Sequence, residues 1–277
     1  MNFYGRLQRA WESSRSLVCV GLDSDPTKLP AHLREKPDSI LTFNKAIVDA
    51  TKDVVCCYKP NAAFYSSSGA EEQLAETISY IHSVAPDVLV ILDSKRGDIA
   101  NTAEMYAAES FERYNADAVT LSPYLGFETL DPYLKHEGRG SIVLCRTSNP
   151  GAKHLQDLLV DGKPLYLHVA ERAKTSLNAK HNVALVVGAT SPAELGVIRE
   201  VVGDEIPFLV PGVGAQGGDA ESVIKFGCDS RGTGVIVNSS RGIIFANSGP
   251  DFASAARAAA IALRDELNAA RAKHRPQ

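Results

Sequence analysis

A closed (β/α)8 barrel is the fold that this sequence predicts, and three observations carry it. Eight short apolar, β-branched runs alternate with stretches whose apolar residues fall at three- and four-residue spacing. The eight strand-helix units fit a chain of 277 residues, whereas an open doubly wound sheet usually stops at fewer strands. No Pro/Ser-rich linker, low-complexity tract or internal repeat divides the sequence, so one domain over residues 1–277 is expected.

The runs follow in order. Val18-Cys19-Val20-Gly21-Leu22 opens the series, followed by residues 54–58 and by Val88-Leu89-Val90-Ile91-Leu92. Residues 70–84 and 99–114 have the length and spacing of crossover helices, and strand-helix alternation implies a parallel sheet. Residues 118–121, 141–145 and 183–187 supply the next three strands, and 208–210 and 235–237 the last two. Residues 148–164, after the fifth run, contain two Gly and two Pro and are expected to form an irregular, mobile loop near the site. Residues 253–270 predict a terminal surface helix, because Arg257, Arg264 and Asp265 interrupt it too often for a membrane span.

Composition removes several classes of function. A net charge of −4 without a basic block argues against a nucleic-acid surface, so an anionic ligand must meet a concentrated local pocket. Cys19, Cys56, Cys57, Cys145 and Cys228 sit mostly in apolar runs, and the N-terminus lacks the apolar segment of a signal peptide. Both features predict a cytoplasmic protein. Neither the cysteines nor the dispersed histidines show a zinc-binding spacing, so no metal is expected. The histidines receive no role, and without a G-x-S-x-G elbow a hydrolase triad has no support.

Functional groups of a parallel barrel lie at the C-terminal ends of its strands, and here those positions are ionic. Asp23 follows the first run, Lys59 the second, Asp93-Ser94-Lys95 the third, Arg146-Thr147-Ser148 the fifth, and Arg241 lies after the eighth. In an extended chain Asp93 and Lys95 share a side, and Gly97 permits a sharp turn before the next helix. With Lys59 from the neighbouring strand, Lys59, Asp93, Lys95 and Asp98 suggest an alternating array in which each charge is held ionised by its neighbours. A structural ion network at the barrel top is the alternative.

Pro211-Gly212-Val213-Gly214-Ala215-Gln216-Gly217-Gly218 after the seventh run looks like a phosphate cradle, with Arg241 able to grip phosphate oxygens. Residues 212–217 also satisfy G-x-G-x-x-G. The dinucleotide alternative fails because no acid ends the next strand and too little chain remains for the missing units.

These segments together resemble the orotidine 5'-monophosphate decarboxylase family. The resemblance rests chiefly on Asp93-x-Lys95-x-x-Asp98-Ile99-x-Asn101-Thr102, with Gly21-Leu22-Asp23, Lys59-Pro60-Asn61, Arg146 to Gly151 and the Gly-rich segment agreeing. Lys59-Pro60-Asn61 and the Arg146 segment are similar to the longer bacterial branch. The resemblance implies Lys95 as proton donor to C6 of the pyrimidine, Asp93 beside the departing carboxylate, and Lys59 on the ribose and Asp93. It further implies Asp23 on a ribose hydroxyl, Ser148 on the pyrimidine amide edge, Pro211 lining the base pocket, and Gln216 with Arg241 on the phosphate. Asp98, Ile99 and Thr102 would reach into a partner subunit's site, so a homodimer without cofactor is implied.

Ser240 stands where many relatives have Gly; a backbone N–H contact to phosphate survives that change. Rival functions are a magnesium-dependent sugar-phosphate enzyme of related fold, a Schiff-base aldolase using Lys59 or Lys95, and a non-catalytic nucleotide binder.

Overall fold

The computed structural model describes residues 1–190, 192–213 and 218–274. Eight parallel strands close into a barrel: β1 (Val18–Leu22), β2 (Cys57–Pro60), β3 (Leu89–Arg96), β4 (Ala118–Leu121), β5 (Gly140–Arg146), β6 (Val183–Val187), β7 (Phe208–Pro211) and β8 (Val235–Ser239). Every strand pairs with its neighbours in sequence, and β8 returns to β1 through Val18 opposite Val237 and Val20 opposite Ser239. β1, β4, β6 and β8 are buried along their whole length, because side chains inside the barrel cover one face and helices the other. The (β/α)8 expectation holds, and three runs, 18–22, 118–121 and 183–187, coincide with their strands.

Differences have local causes. β2 starts three residues later than the apolar run, because Val54 N–H bonds to Thr51 O and prolongs the turn that ends helix Ser39–Thr51. The expected helix 70–84 forms over Glu71–Val84, and that at 99–114 forms as Ala100–Ala108 running into a π turn at Glu109–Arg113. The terminal helix, Phe252–His274, buries Phe252, Ala256, Ala260, Leu267 and Ala270 against helices Ser39–Thr51 and Ala220–Gly227. Helix Phe3–Ser14, for which the sequence reading had no element, places Phe3, Leu7, Ala10 and Trp11 in the core. A Cβ on Gly140 would lie 2.6 Å from the Phe3 ring, so this glycine admits the ring.

Residues 148–164 are not the irregular loop expected. They fold into short helical turns at Pro150–Ala152 and Lys153–Gln156 and a hairpin pairing Leu159–Val160 with Lys163–Pro164. Asp161 (φ 51°) and Gly162 (φ 77°) form its two-residue turn, the left-handed pair that closes tight hairpins. Among the described residues no helix is long and apolar enough to cross a membrane.

Candidate active site

The strand ends surround a cavity of about 460 Å³ at the C-terminal mouth of the barrel. Asp23, Lys59, Asp93, Lys95, Ser148, Pro211, Ser240 and Arg241 all line it. Parallel pairing of β1 and β2 puts Lys59 opposite Gly21, two residues before Asp23, and β3 brings Asp93 alongside Asn61. Lys59 is only 4% exposed, and its Nζ lies 2.9 Å from Asp93 Oδ2 and 3.7 Å from Asp23 Oδ1. Lys95 Nζ lies 2.7 Å from the other oxygen of Asp93. Asp93 is thus clamped between two ammonium groups.

Burial by itself opposes ionisation of both partners. The charges of Lys59 and Lys95 outweigh it at Asp93 and hold that carboxyl far below the ordinary carboxylate range. For Lys59, burial is likewise outweighed by Asp93 and then Asp23, so its ammonium form persists above the usual lysine range. These directions agree with each other and with the distances.

Asp93 and Lys95 share a side as expected, but by a different backbone route. The β3–β4 register slips between Leu92 and Arg96, and Lys95 adopts a left-handed φ of 47°. The sharp bend expected at Gly97 falls instead on Lys95 and on Ala100, whose φ is 48°. Gly97 serves close approach: a Cβ there would stand 2.9 Å from Ser122 O.

Within one chain the array ends at Asp23 rather than at Asp98. Asp98 is half-buried, accepts a 2.8 Å bond from Ile99 N–H, and makes no ion pair among the described residues. Ile99 is 57% exposed and Thr102 is exposed, and neither lines the cavity. Gln216 lies outside the described residues. Asp219 caps helix Ala220–Gly227 by accepting from Glu221 and Ser222 N–H, so those two groups are not available to an anion. Arg241, exposed at the rim, has no carboxylate partner among the described residues.

Ser240 precedes Arg241 with its hydroxyl folded over Gly21: a Cβ on Gly21 would fall 1.8 Å from Ser240 Oγ. Ser148 similarly lies against Gly188, where a Cβ would be 2.8 Å from its own. Arg146 does not itself line the cavity; it donates to Gln156, which does, and to Asp157, tying the end of β5 to the 148–164 segment.

Two residues went unnoticed in the sequence. Thr120, inside the β4 run, donates to Asp93 Oδ1 at 2.8 Å and accepts from Ser94 and Lys95 N–H. Asn238, which directly follows the eighth apolar run, donates to Ser240 Oγ at 3.4 Å. Asn238 Oδ1 and Asp23 Oδ1 are buried with no hydrogen-bond partner among the described residues, which makes them acceptors for ligand hydroxyl or amide groups. All five cysteines are free and buried, and no three His, Cys, Asp or Glu residues among the described ones are grouped to hold a metal.

Residues 16–258 match the Orotidine 5'-phosphate decarboxylase / HUMPS family. The chain is 54% identical to the orotidine 5'-phosphate decarboxylase of Ralstonia pickettii over 97% of this chain and 98% of that protein. It is 53% identical to that of Cellvibrio japonicus over 98% and 100%. Among solved structures, the Leishmania donovani OMP decarboxylase is similar at TM-score 0.83 and 38% identity, covering 98% of this chain and 99% of that one. A Toxoplasma gondii structure described as a putative orotidine-monophosphate decarboxylase reaches TM-score 0.87 at 32% identity, covering 100% and 99%.

Proposed function

The chain belongs to the orotidine 5'-phosphate decarboxylase / HUMPS family, and from that premise we propose that it converts orotidine 5'-monophosphate to uridine 5'-monophosphate and CO2, the last step of UMP synthesis. The observation that carries the chemistry is the clamped Asp93, with Lys59 at 2.9 Å and Lys95 at 2.7 Å. Loss of CO2 breaks the bond between C6 and the carboxylate and leaves the electron pair on C6, with no conventional sink. The Lys95 ammonium faces that developing charge more strongly than it faces bound substrate, which is differential binding, and then gives its proton to C6. Solvent restores the ammonium. Asp93 stands beside the departing carboxylate and disfavours it before bond breaking; this effect is secondary to the ammonium.

The other roles are those that the family resemblance implies, and Asp23, Lys59, Ser148, Pro211, Ser240 and Arg241 line the cavity as those roles require. Lys59 and Asp23 meet the ribose, Ser148 the pyrimidine amide edge, and Pro211 the base. Arg241, the Ser240 backbone and Gln216 hold the phosphate, and their remote binding energy offsets the cost of ordering the site. Asp98, Ile99 and Thr102 stand outside their own chain's cavity, which favours a homodimer in which the partner subunit's Asp98 completes the array. No cofactor is required. Between Asp23 and Asp93, where a divalent cation would bridge two acids, stands the Lys59 ammonium.

The test is turnover of orotidine 5'-monophosphate in excess EDTA, followed by ultraviolet absorbance with UMP and CO2 identified, for the parent and Lys95→Ala. Conversion by the parent and its loss in the variant, with UMP still bound, are expected. Conversion of only a sugar phosphate on restoring Mg2+ overturns the proposal, and a near-normal rate in Lys95→Ala removes the proton donor.

A further inference from the structure

β3 carries an irregularity that its neighbour compensates with one side chain. Leu92 pairs with Val119 and Arg96 with Leu121, so three residues of β3, Asp93 to Lys95, stand opposite the single residue Thr120. A slip of this kind takes backbone N–H groups out of the ladder, and buried ones must find other acceptors. Thr120 Oγ1 accepts from Ser94 N–H at 3.1 Å and from Lys95 N–H at 2.9 Å. With both lone pairs engaged, its one hydrogen goes to Asp93 Oδ1 at 2.8 Å. The hydroxyl is used to capacity, and Thr120, at the floor of the cavity, is only 1% exposed.

We infer that Thr120 is a positioning residue for the decarboxylation: it holds Lys95 in its left-handed conformation and orients the Asp93 oxygen that receives the Lys95 ammonium. The inference rests on the function proposed above. A non-glycine residue at φ 47° is strained and persists only where surrounding contacts impose it. The two bonds from Ser94 and Lys95 N–H are such contacts. The third fixes Asp93 Oδ1, which Lys95 Nζ approaches at 2.7 Å, so one hydroxyl sets both ends of the Asp93–Lys95 pair. Thr120 touches no phosphate-binding residue described above. Its loss therefore bears on the reacting centre and leaves ground-state binding through the phosphate.

Thr120→Val keeps the shape and removes all three bonds; Thr120→Ser keeps the hydroxyl. For Thr120→Val, kcat should fall about a hundredfold, the scale of a 1 Å misplacement, while UMP affinity stays within about threefold. Thr120→Ser should recover kcat to within about threefold of the parent. Hydrogen exchange at the Ser94 and Lys95 amides should accelerate at least about tenfold in the valine variant, a readout independent of turnover. If valine prevents folding, Thr120→Cys, a poor acceptor for the two N–H groups, should show the same pattern at about tenfold in kcat. Equal loss of kcat/KM and UMP affinity, unchanged exchange, or a valine variant with the parent's kcat overturns the inference. A parent that does not decarboxylate the nucleotide overturns the proposed function instead, and the exchange measurement then still decides whether Thr120 holds the turn.

Discussion

Gly21→Ala tests the proposed phosphate-binding role of Ser240 and Arg241 through the close approach of Gly21 to Ser240. An added Cβ would lie 1.8 Å from Ser240 Oγ, 2.8 Å from Ser240 Cβ and 3.2 Å from Asn238 Oδ1. The Asn238 contact is relieved by a few tenths of an ångström. Rotating Ser240 removes the Oγ clash but leaves its Cβ too close, so the backbone at Ser240 must move. Bringing the 2.8 Å approach to ordinary contact at about 3.4–4 Å moves Ser240 by roughly 0.6–1.2 Å; a misplacement of about 1 Å costs on the order of a hundredfold in rate, and overpacking of this kind costs about 1–3 kcal/mol of stability. We expect kcat/KM for orotidine 5'-monophosphate to fall about a hundredfold in Gly21→Ala, mostly through KM, because Arg241 moves with Ser240. Ser240→Gly removes both clashing atoms, so the double variant should recover most of the loss. Steady-state kinetics and thermal unfolding on the four proteins of the cycle give the coupling. A fully active, parent-stable Gly21→Ala, or a double variant no better than the single one, refutes the reasoning.

Asp117, 1% exposed at the start of β4's flank, bonds to Arg6, His82 and Val90 N–H at the opposite end of the barrel; Asp117→Asn should lower the unfolding free energy by about 3 kcal/mol in denaturant titration, with kcat/KM of the folded protein unchanged. Arg241→Ala should weaken UMP binding by about ten- to a hundredfold, the worth of charge-assisted bonds; equal affinity in calorimetry would place the phosphate elsewhere. The depressed Asp93 and elevated Lys59 values bear on pH. Asp93 contributes stability that is present above its unfolded value near pH 4 and lost as pH falls through the folded value, and Lys59 contributes stability present below about pH 10 and lost as pH rises through its folded value. Neither therefore supplies a limb to kcat between about pH 5 and 9; a limb that disappears in Lys59→Arg or Asp93→Glu would contradict the clamp.

The barrel was legible because parallel strands buried on both faces must be apolar along their length, and eight such runs stood out. Strand ends were legible for the same reason: a charge directly after an apolar run has one place to go. The Asp161-Gly162 turn was also written in the sequence, as an Asp-Gly pair between Val160 and Lys163, but the surrounding Gly and Pro suggested irregular chain instead. Thr120 was not legible. Its role depends on a slip between β3 and β4 that places one side chain opposite three residues, and cross-strand register leaves no mark on either segment alone. For the same reason Gly97 received the turn that Lys95 adopts, since glycine is the local expectation for left-handed backbone and tertiary contacts overrode it.

The acceptors in the cavity divide into two kinds, and the division accounts for what each is suited to do. Both oxygens of Asp93 are engaged, one by Lys95 and Thr120 and the other by Lys59. A carboxylate so held neither swings nor takes up a proton, and remains a fixed negative charge whose neighbouring ammonium is oriented before substrate arrives. Asp23 and Asn238 each keep a buried oxygen without a hydrogen-bond partner among the described residues. Asp23 Oδ1 still faces the Lys59 ammonium at 3.7 Å, but each oxygen gains a hydrogen bond only when a ligand brings a donor, which suits the pair to a hydroxyl-bearing ligand rather than an apolar one of the same shape. The saturated acid lies between the two lysines on the β2–β3 side, and the acceptors that lack a hydrogen bond stand at the ends of β1 and β8. A ligand spanning the mouth therefore meets recognition at one side and fixed charge at the other, which is the polarity required if binding energy from the sugar phosphate is to be used at a carbon several bonds away.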